Sequence, residues 1–298
     1  IILCAGQVSI PRDPETRIIR DADLPGAIIL MVALGIFSLG LPVSLHAQDM
    51  TGIILTLAAC AGVMILFLIR ERRAAHPIAE PDLLRLREVR IPLFLSLGVY
   101  TIFFGYLFFA PVLLNEILML SPIRSGILIG LASLIPAVGN PLSGYFIERN
   151  GKKSITRLII AGSIAGMLSS LSLAGIGILG GMTASIISLV FFGVFFACMR
   201  TSVYYYYYLS VPAERAGTAG GILETSIEIT SPLSLMIVHL CFASGIILGS
   251  GGVVSIRSIF SDVIAGIAGI FLCFFVISLA MLVIILRESS RDPSDTTG

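Results

Sequence analysis

Two glutamates, Glu224 and Glu228, stand four residues apart in a stretch otherwise suited to a membrane, GTAGGILETSIEITSPLSLMIVHLCF from Gly217 to Phe242. A carboxylate near a bilayer centre costs about 2.5–3.5 kcal/mol on insertion scales, so an apolar span that carries two is expected to use them. On a helix Gly217, Gly221, Glu224, Glu228 and Ser231 share one face. Ile222, Ile229, Leu233 and Met236 fall on another, which is expected to meet lipid. Two carboxyls one turn apart in a poorly hydrated site cannot both ionise at low cost, so the pair is expected to titrate as a unit. Such a site can hold a proton near neutral pH and yield it to a cation, which is the chemistry of ion-coupled exchange. Measured from Gly217 at 1.5 Å per residue, Glu224 lies about 10 Å deep and Glu228 about 16 Å, near the midplane. Blander uses stay open: a hydrated vestibule around Glu224, an ion pair of either carboxyl with Arg200, or hydrogen bonds to nearby Ser and Thr.

The elements that must position this pair follow from composition. The chain is 56% hydrophobic and 12% charged, with a mean hydropathy of +1.01. Soluble domains carry about 25% charged residues, so this chain lacks the polar coat of a soluble fold and reads as an all-α polytopic membrane protein. Eight spans are expected: 25–43, 52–69, 91–114, 126–147, 155–177, 183–204, 217–242 and 263–286. Helices satisfy their own backbone in lipid, whereas barrel strands would be about ten residues long and alternate in polarity. With the first loop cytoplasmic, 17 of the 19 Lys and Arg fall in or beside inside loops, which include Arg70–Arg90 and Glu148–Ser154. That fixes the expected sidedness in a plasma or inner membrane. Tyr204 to Tyr208 then mark an interfacial aromatic belt at the inner end of the sixth span.

Other chemistries find no footing. The five cysteines are scattered singly, and no His or Cys cluster has metal-ligand spacing, so neither metal nor cofactor is expected. A net charge of +1 gives no preference for nucleic acid. HExxH, GxSxG and a phosphate-binding GK[ST] loop are all missing from the sequence, which argues against an enzyme and against a self-contained ATP-driven pump. Asn115 and Glu116 are expected to cap the third span, Asp262 to oppose the dipole of the eighth, and His239 to be a packing residue.

The loop after the fourth span reads GYFIERNGKK, from Gly144 to Lys153. Gly144 would allow close helix approach and Gly151 a tight turn. Glu148 would accept backbone N–H bonds and pair with Arg149, while Lys152 and Lys153 would hold the loop at the inner surface. This G-x3-E-R-x-G-K-K pattern resembles the signature loop of the major facilitator superfamily, with Glu148 in place of the usual Asp. Three further stretches resemble its fourteen-helix drug:proton antiporter branch: Glu71, Pro77, Leu83, Leu84 and Arg90; the fourth span with Pro136, Asn140 and Pro141; and VPAERAGTAGGILETS.

The resemblance implies a division into 1–24, the end of a truncated helix with its linker; 25–69, an extra two-helix hairpin; and 70–90, a cytoplasmic linker. It implies that 91–286 is a six-helix C-terminal bundle and 287–298 a polar tail, with an N-terminal bundle missing. It implies a secondary transporter in the lipid bilayer, exporting a small amphipathic or cationic substrate against protons, with Pro136, Asn140 and Pro141 at a kink or gate. A non-transporting scaffold, or a half-transporter assembled with a partner, is the other reading. The branch commonly carries Asn and then Arg-Gln where this chain has Glu224, Ile227 and Glu228, so the two glutamates inherit no role from the resemblance.

Overall fold

The computed structural model describes residues 24–40, 43, 50–71, 83, 85–174, 179–249 and 256–289. Residues 1–11, most of the 70–90 linker and most of the polar tail lie outside them, as do the side chains of His239 and Asp262. Helix α1 (Leu24–Gly35) closes in a π turn at Ile36–Gly40, and α2 (Met50–Glu71) follows. Then come α3 (Arg87–Val112), a π turn at Leu113–Ile117, α4 (Pro122–Asn150), α5 (Lys152–Ala174) and α6 (Gly181–Leu209). A 3-10 turn at Ala213–Arg215 leads into α7 (Ala216–Gly249), and α8 is Ile256–Ser289.

The eight expected spans are helical wherever they are described. Seven helices among the described residues are long and apolar enough to cross a bilayer, and the first, Pro25–Gly40, is shorter. Together they make an integral, multi-pass, all-α membrane protein. Local sequence sets the boundaries. Pro122 opens α4, where its fixed φ and missing N–H do no harm. Gly151 separates α4 from α5 at φ +70°, a conformation that costs glycine little, and its N–H closes onto Ile147 O at 2.8 Å.

Helix α3 packs against α6, α7 and α8; α5 lies against α6 and α8; and α4 leans on α6. The core gathers Leu95 and Phe109 of α3, Ile159 of α5, Phe195 and Met199 of α6, Leu223 and Ile227 of α7, and Phe271 and Phe274 of α8. Rings bind α3 to α6: Phe103 stacks on Phe196 at 4.3 Å and Tyr106 on Phe192 at 4.0 Å. Lipid tails are as apolar as leucine, so such close packing, rather than exclusion from water, holds helices together here.

The hairpin α1–α2 docks on α7, with Phe37 packed among Ile53, Cys60, Ile229 and Met236. The α7 face assigned to lipid is therefore largely covered: Ile229 and Met236 meet the hairpin, Ile222 is buried, and Leu233 stays exposed. Helix α4 is the opposite case. It buries only Ser125, Ser143 and Ile147, and leaves Ile127, Leu131, Leu134, Val138 and Leu142 exposed.

Candidate functional site

Five consecutive residues on an α-helix fan around its whole circumference, about 100° apart, so Tyr204 to Tyr208 cannot share a surface. Each reaches a different neighbour. Tyr204 donates to Glu224 Oε1 on α7 at 3.1 Å, and Tyr205 donates to Glu148 Oε1 at the end of α4 at 2.9 Å. Tyr207, fully buried, donates to Ala219 O on α7 at 2.9 Å, and its ring meets Tyr208 edge-on. Tyr206 lines a cavity of about 300 Å³ together with Glu88, Lys152, Lys153 and Glu288. Tyr204, Tyr205 and Tyr207 thus bond this end of α6 to α7 and α4, at the place where an interfacial belt was expected.

Tyr204 also accepts. Tyr100 of α3 donates to Tyr204 Oη at 3.2 Å, and Arg200 Nε donates to Tyr100 Oη at 3.3 Å. The Arg200 guanidinium carbon stands 5.8 Å from the centroid of the Tyr204 ring, within cation–π range. Arg200, Tyr100, Tyr204 and Glu224 thus form one chain of donors running from a cation to a carboxylate. Arg200 reaches Glu224 through two phenols, and the direct ion pair that the sequence left open does not form.

Gly217, Gly221, Glu224 and Glu228 are all exposed, with Ser231 partly so, and the shared polar face is present. Exposure changes the argument made from the sequence: the residues of this chain do not wrap either carboxyl in apolar surface. Glu228 has a second feature. Pro232, four residues on, has no N–H, so the usual helical bond onto Glu228 O is not made. Glu228 therefore offers a side-chain carboxyl and a main-chain carbonyl freed from the helix ladder, both attractive to a cation.

The signature loop is partly as expected. Gly151 makes the turn, and Lys152 and Lys153 are exposed at the start of α5. Glu148 bonds Tyr205 and Arg149 donates to Tyr145 Oη at 3.3 Å, so the two do not pair with each other. Gly144 is not at the tight contact, because a Cβ there would meet Thr201 Cγ2 at an ordinary 3.9 Å. The close approach is at Gly139, where a Cβ would come 2.6 Å from Ala197 Cβ.

Helix α4 continues unbroken through Pro136 and Pro141. Asn140 is tied to α6, since Thr201 Oγ1 donates to its main-chain and side-chain oxygens at 3.3 Å each, and Ser143 donates to Ala197 O at 3.1 Å. Asn115 accepts from Ser125 and so joins the end of α3 to the start of α4, rather than capping α3. Among the described residues no group of three His, Cys, Asp or Glu could hold a metal ion. The sequence reading singled out neither Tyr100 nor the individual tyrosines of the run. The visible signals were five tyrosines one turn beyond Arg200 and a proline four residues after Glu228.

Comparison with known proteins agrees with the architecture. A profile described as Major Facilitator Superfamily matches residues 25–235. The tetracenomycin C resistance and export protein of Streptomyces glaucescens is 28% identical over 192 residues, which are 63% of this chain and 34% of that protein. The vacuolar basic amino acid transporter 2 of Saccharomyces cerevisiae is 25% identical over 138 residues, 45% of this chain and 29% of the relative. An uncharacterized transporter of Escherichia coli, YebQ, is 28% identical over 214 residues, 68% of this chain and 44% of the relative. The matched region spans about a third of the length of the first two relatives.

Proposed function

We propose that this chain, which belongs to the Major Facilitator Superfamily, is part of a secondary transporter that exchanges protons for a small amphipathic or cationic compound. Glu228 and Glu224 are its coupling or substrate carboxylates. The observation that carries this reading is the exposed acidic face of α7, in a helix apolar enough to cross a bilayer. A carboxylate kept there is costly unless a proton or cation visits it. The names of two relatives, an export protein and a basic amino acid transporter, support transport and are compatible with a cationic substrate moving outward.

Transporters of this kind work by rocking two bundles around a midplane site. In this reading 91–286 is one bundle, 25–69 an added hairpin, and a second bundle, matching part of the relatives' remaining length, covers the open side of α4. Pro136, Asn140 and Pro141 shape α4 as a kink or gate beside the site that the two bundles would enclose. Gly144, Glu148, Arg149, Gly151, Lys152 and Lys153 form a cytoplasmic latch, which here grips Tyr205.

The test is proton flux in vesicles carrying the complete transporter, driven by a lipophilic cation. Glu228→Gln is expected to reduce coupled flux at least about tenfold while the protein stays in the membrane; removing a buried or membrane-embedded charge partner has effects of that size. Unchanged flux with an unchanged pH profile would remove the coupling role. A protein that moves nothing in any variant would favour the scaffold reading.

A further inference from the structure

The chain from Arg200 to Glu224 raises a question of occupancy, because a carboxylate meant for a foreign cation already faces one of the protein's own. We infer that Arg200 is an internal competitor for Glu224: through Tyr100 and Tyr204 it engages one oxygen of the exposed carboxylate, and a cationic ligand that takes the carboxylate must displace that link. The inference rests on the reading of Glu224 as a cation-binding carboxylate.

Donor arithmetic gives the chain its direction. Arginine has five donors and no acceptor. Arg200 therefore donates to Tyr100, leaving the Tyr100 hydroxyl to donate to Tyr204 and the Tyr204 hydroxyl to donate to Glu224, at 3.3, 3.2 and 3.1 Å. Every phenol proton is committed toward the carboxylate, and bonds aligned head to tail polarise one another. The same order cannot be reversed, since a Tyr100 hydroxyl turned toward Arg200 would face a group that accepts nothing.

The four residues also share a net charge of zero when Glu224 is ionised. Protonation of Glu224, or its capture by another cation, leaves Arg200 uncompensated on an exposed flank of α6. Arg200 then repels a second cation from the same place. The carboxylate consequently accepts one positive charge at a time, and the phenols set how easily it is released to the newcomer. Glu228, one turn further along the same face, accepts no hydrogen bond from a phenol among the described residues. The two glutamates are thus unequal, with Glu224 guarded and Glu228 open.

The experiment is equilibrium binding to the complete transporter in lipid nanodiscs, using tetraphenylphosphonium as the cation and triphenylphosphine oxide as an uncharged counterpart. Arg200→Gln and Tyr204→Phe are expected to tighten tetraphenylphosphonium binding about three- to tenfold, because each removes one charge-assisted competitor for the carboxylate. Both should leave triphenylphosphine oxide unchanged. Glu224→Gln should weaken the cation about tenfold or more. A gain in affinity confined to the charged probe cannot come from a damaged fold. Unchanged or weaker cation binding in both Arg200→Gln and Tyr204→Phe, with the loss in Glu224→Gln intact, would overturn the competitor role and leave the carboxylate's role standing. Cation binding indifferent to Glu224→Gln would overturn both.

Discussion

At the residue scale, polar groups buried in this bundle fall into two sorts that respond oppositely to the same substitution. Ser234 is fully buried, and its one hydroxyl proton is shared between Thr101 O of α3 at 2.7 Å and Thr230 O at 2.6 Å, tying α7 to α3. Ser202 and Ser278 are equally buried, yet their hydroxyls have no hydrogen-bond partner among the described residues. A bonded hydroxyl in a membrane interior contributes about 0.6 kcal/mol on average, whereas an unbonded one costs its desolvation, about 1–3 kcal/mol. Ser234→Ala is therefore expected to lower the thermal unfolding midpoint in detergent, and Ser278→Ala to raise it or leave it unchanged. A fall of equal size in both would show that the Ser278 hydroxyl finds a partner in the membrane.

At the element scale, the α4–α6 contact depends on two missing side chains, at Gly139 of α4 and at Gly193 of α6, where a Cβ would come 2.8 Å from Ile135 Cβ. Gly139 lets the two helices close, and Ser143, Asn140 and Thr201 then bond across the gap. Gly139→Ala places a Cβ 2.6 Å from Ala197 Cβ, against a rigid side-chain stub, so the helices must separate. The expected cost is about 1–3 kcal/mol, the usual penalty of overpacking. Gly130, in the same helix, has open space around its Cβ position. Gly130→Ala is expected to gain up to about 1 kcal/mol from helix propensity. Unfolding of the two variants in a denaturing detergent series checks the opposite signs, and equal behaviour would mean that α4 does not sit on α6 as described.

On the scale of the whole molecule, the arrangement has a covered flank and an open one. The hairpin α1–α2 covers Ile229 and Met236 of α7, while α4 and the acidic face of α7 remain exposed. In the proposed transporter, sidedness would turn this asymmetry into a direction. In a background free of other reactive cysteines, Lys153→Cys is expected to react with a membrane-impermeant maleimide only from the cytoplasmic side. Arg124→Cys, at the other end of α4, should react only from outside. Both reacting from one side would refute the orientation drawn from the basic residues.

The sequence alone determined the helices. Runs of apolar residues long enough for a bilayer, broken by Pro122, Gly151 and Gly180, leave the backbone no other way to satisfy itself in lipid. The shared face of Glu224 and Glu228 was legible for the same reason, since helical periodicity is local. What each side chain meets is a matter of neighbours far away in the chain, and periodicity says nothing of it. Only the tertiary structure placed the hairpin on the face assigned to lipid and moved the close approach from Gly144 to Gly139. It also gave Glu148 a phenol instead of Arg149, and joined Arg200 to Glu224 through a tyrosine 100 residues earlier. Helices form from bonds within four residues, whereas a site forms where separate helices cross, and the crossing is decided by packing.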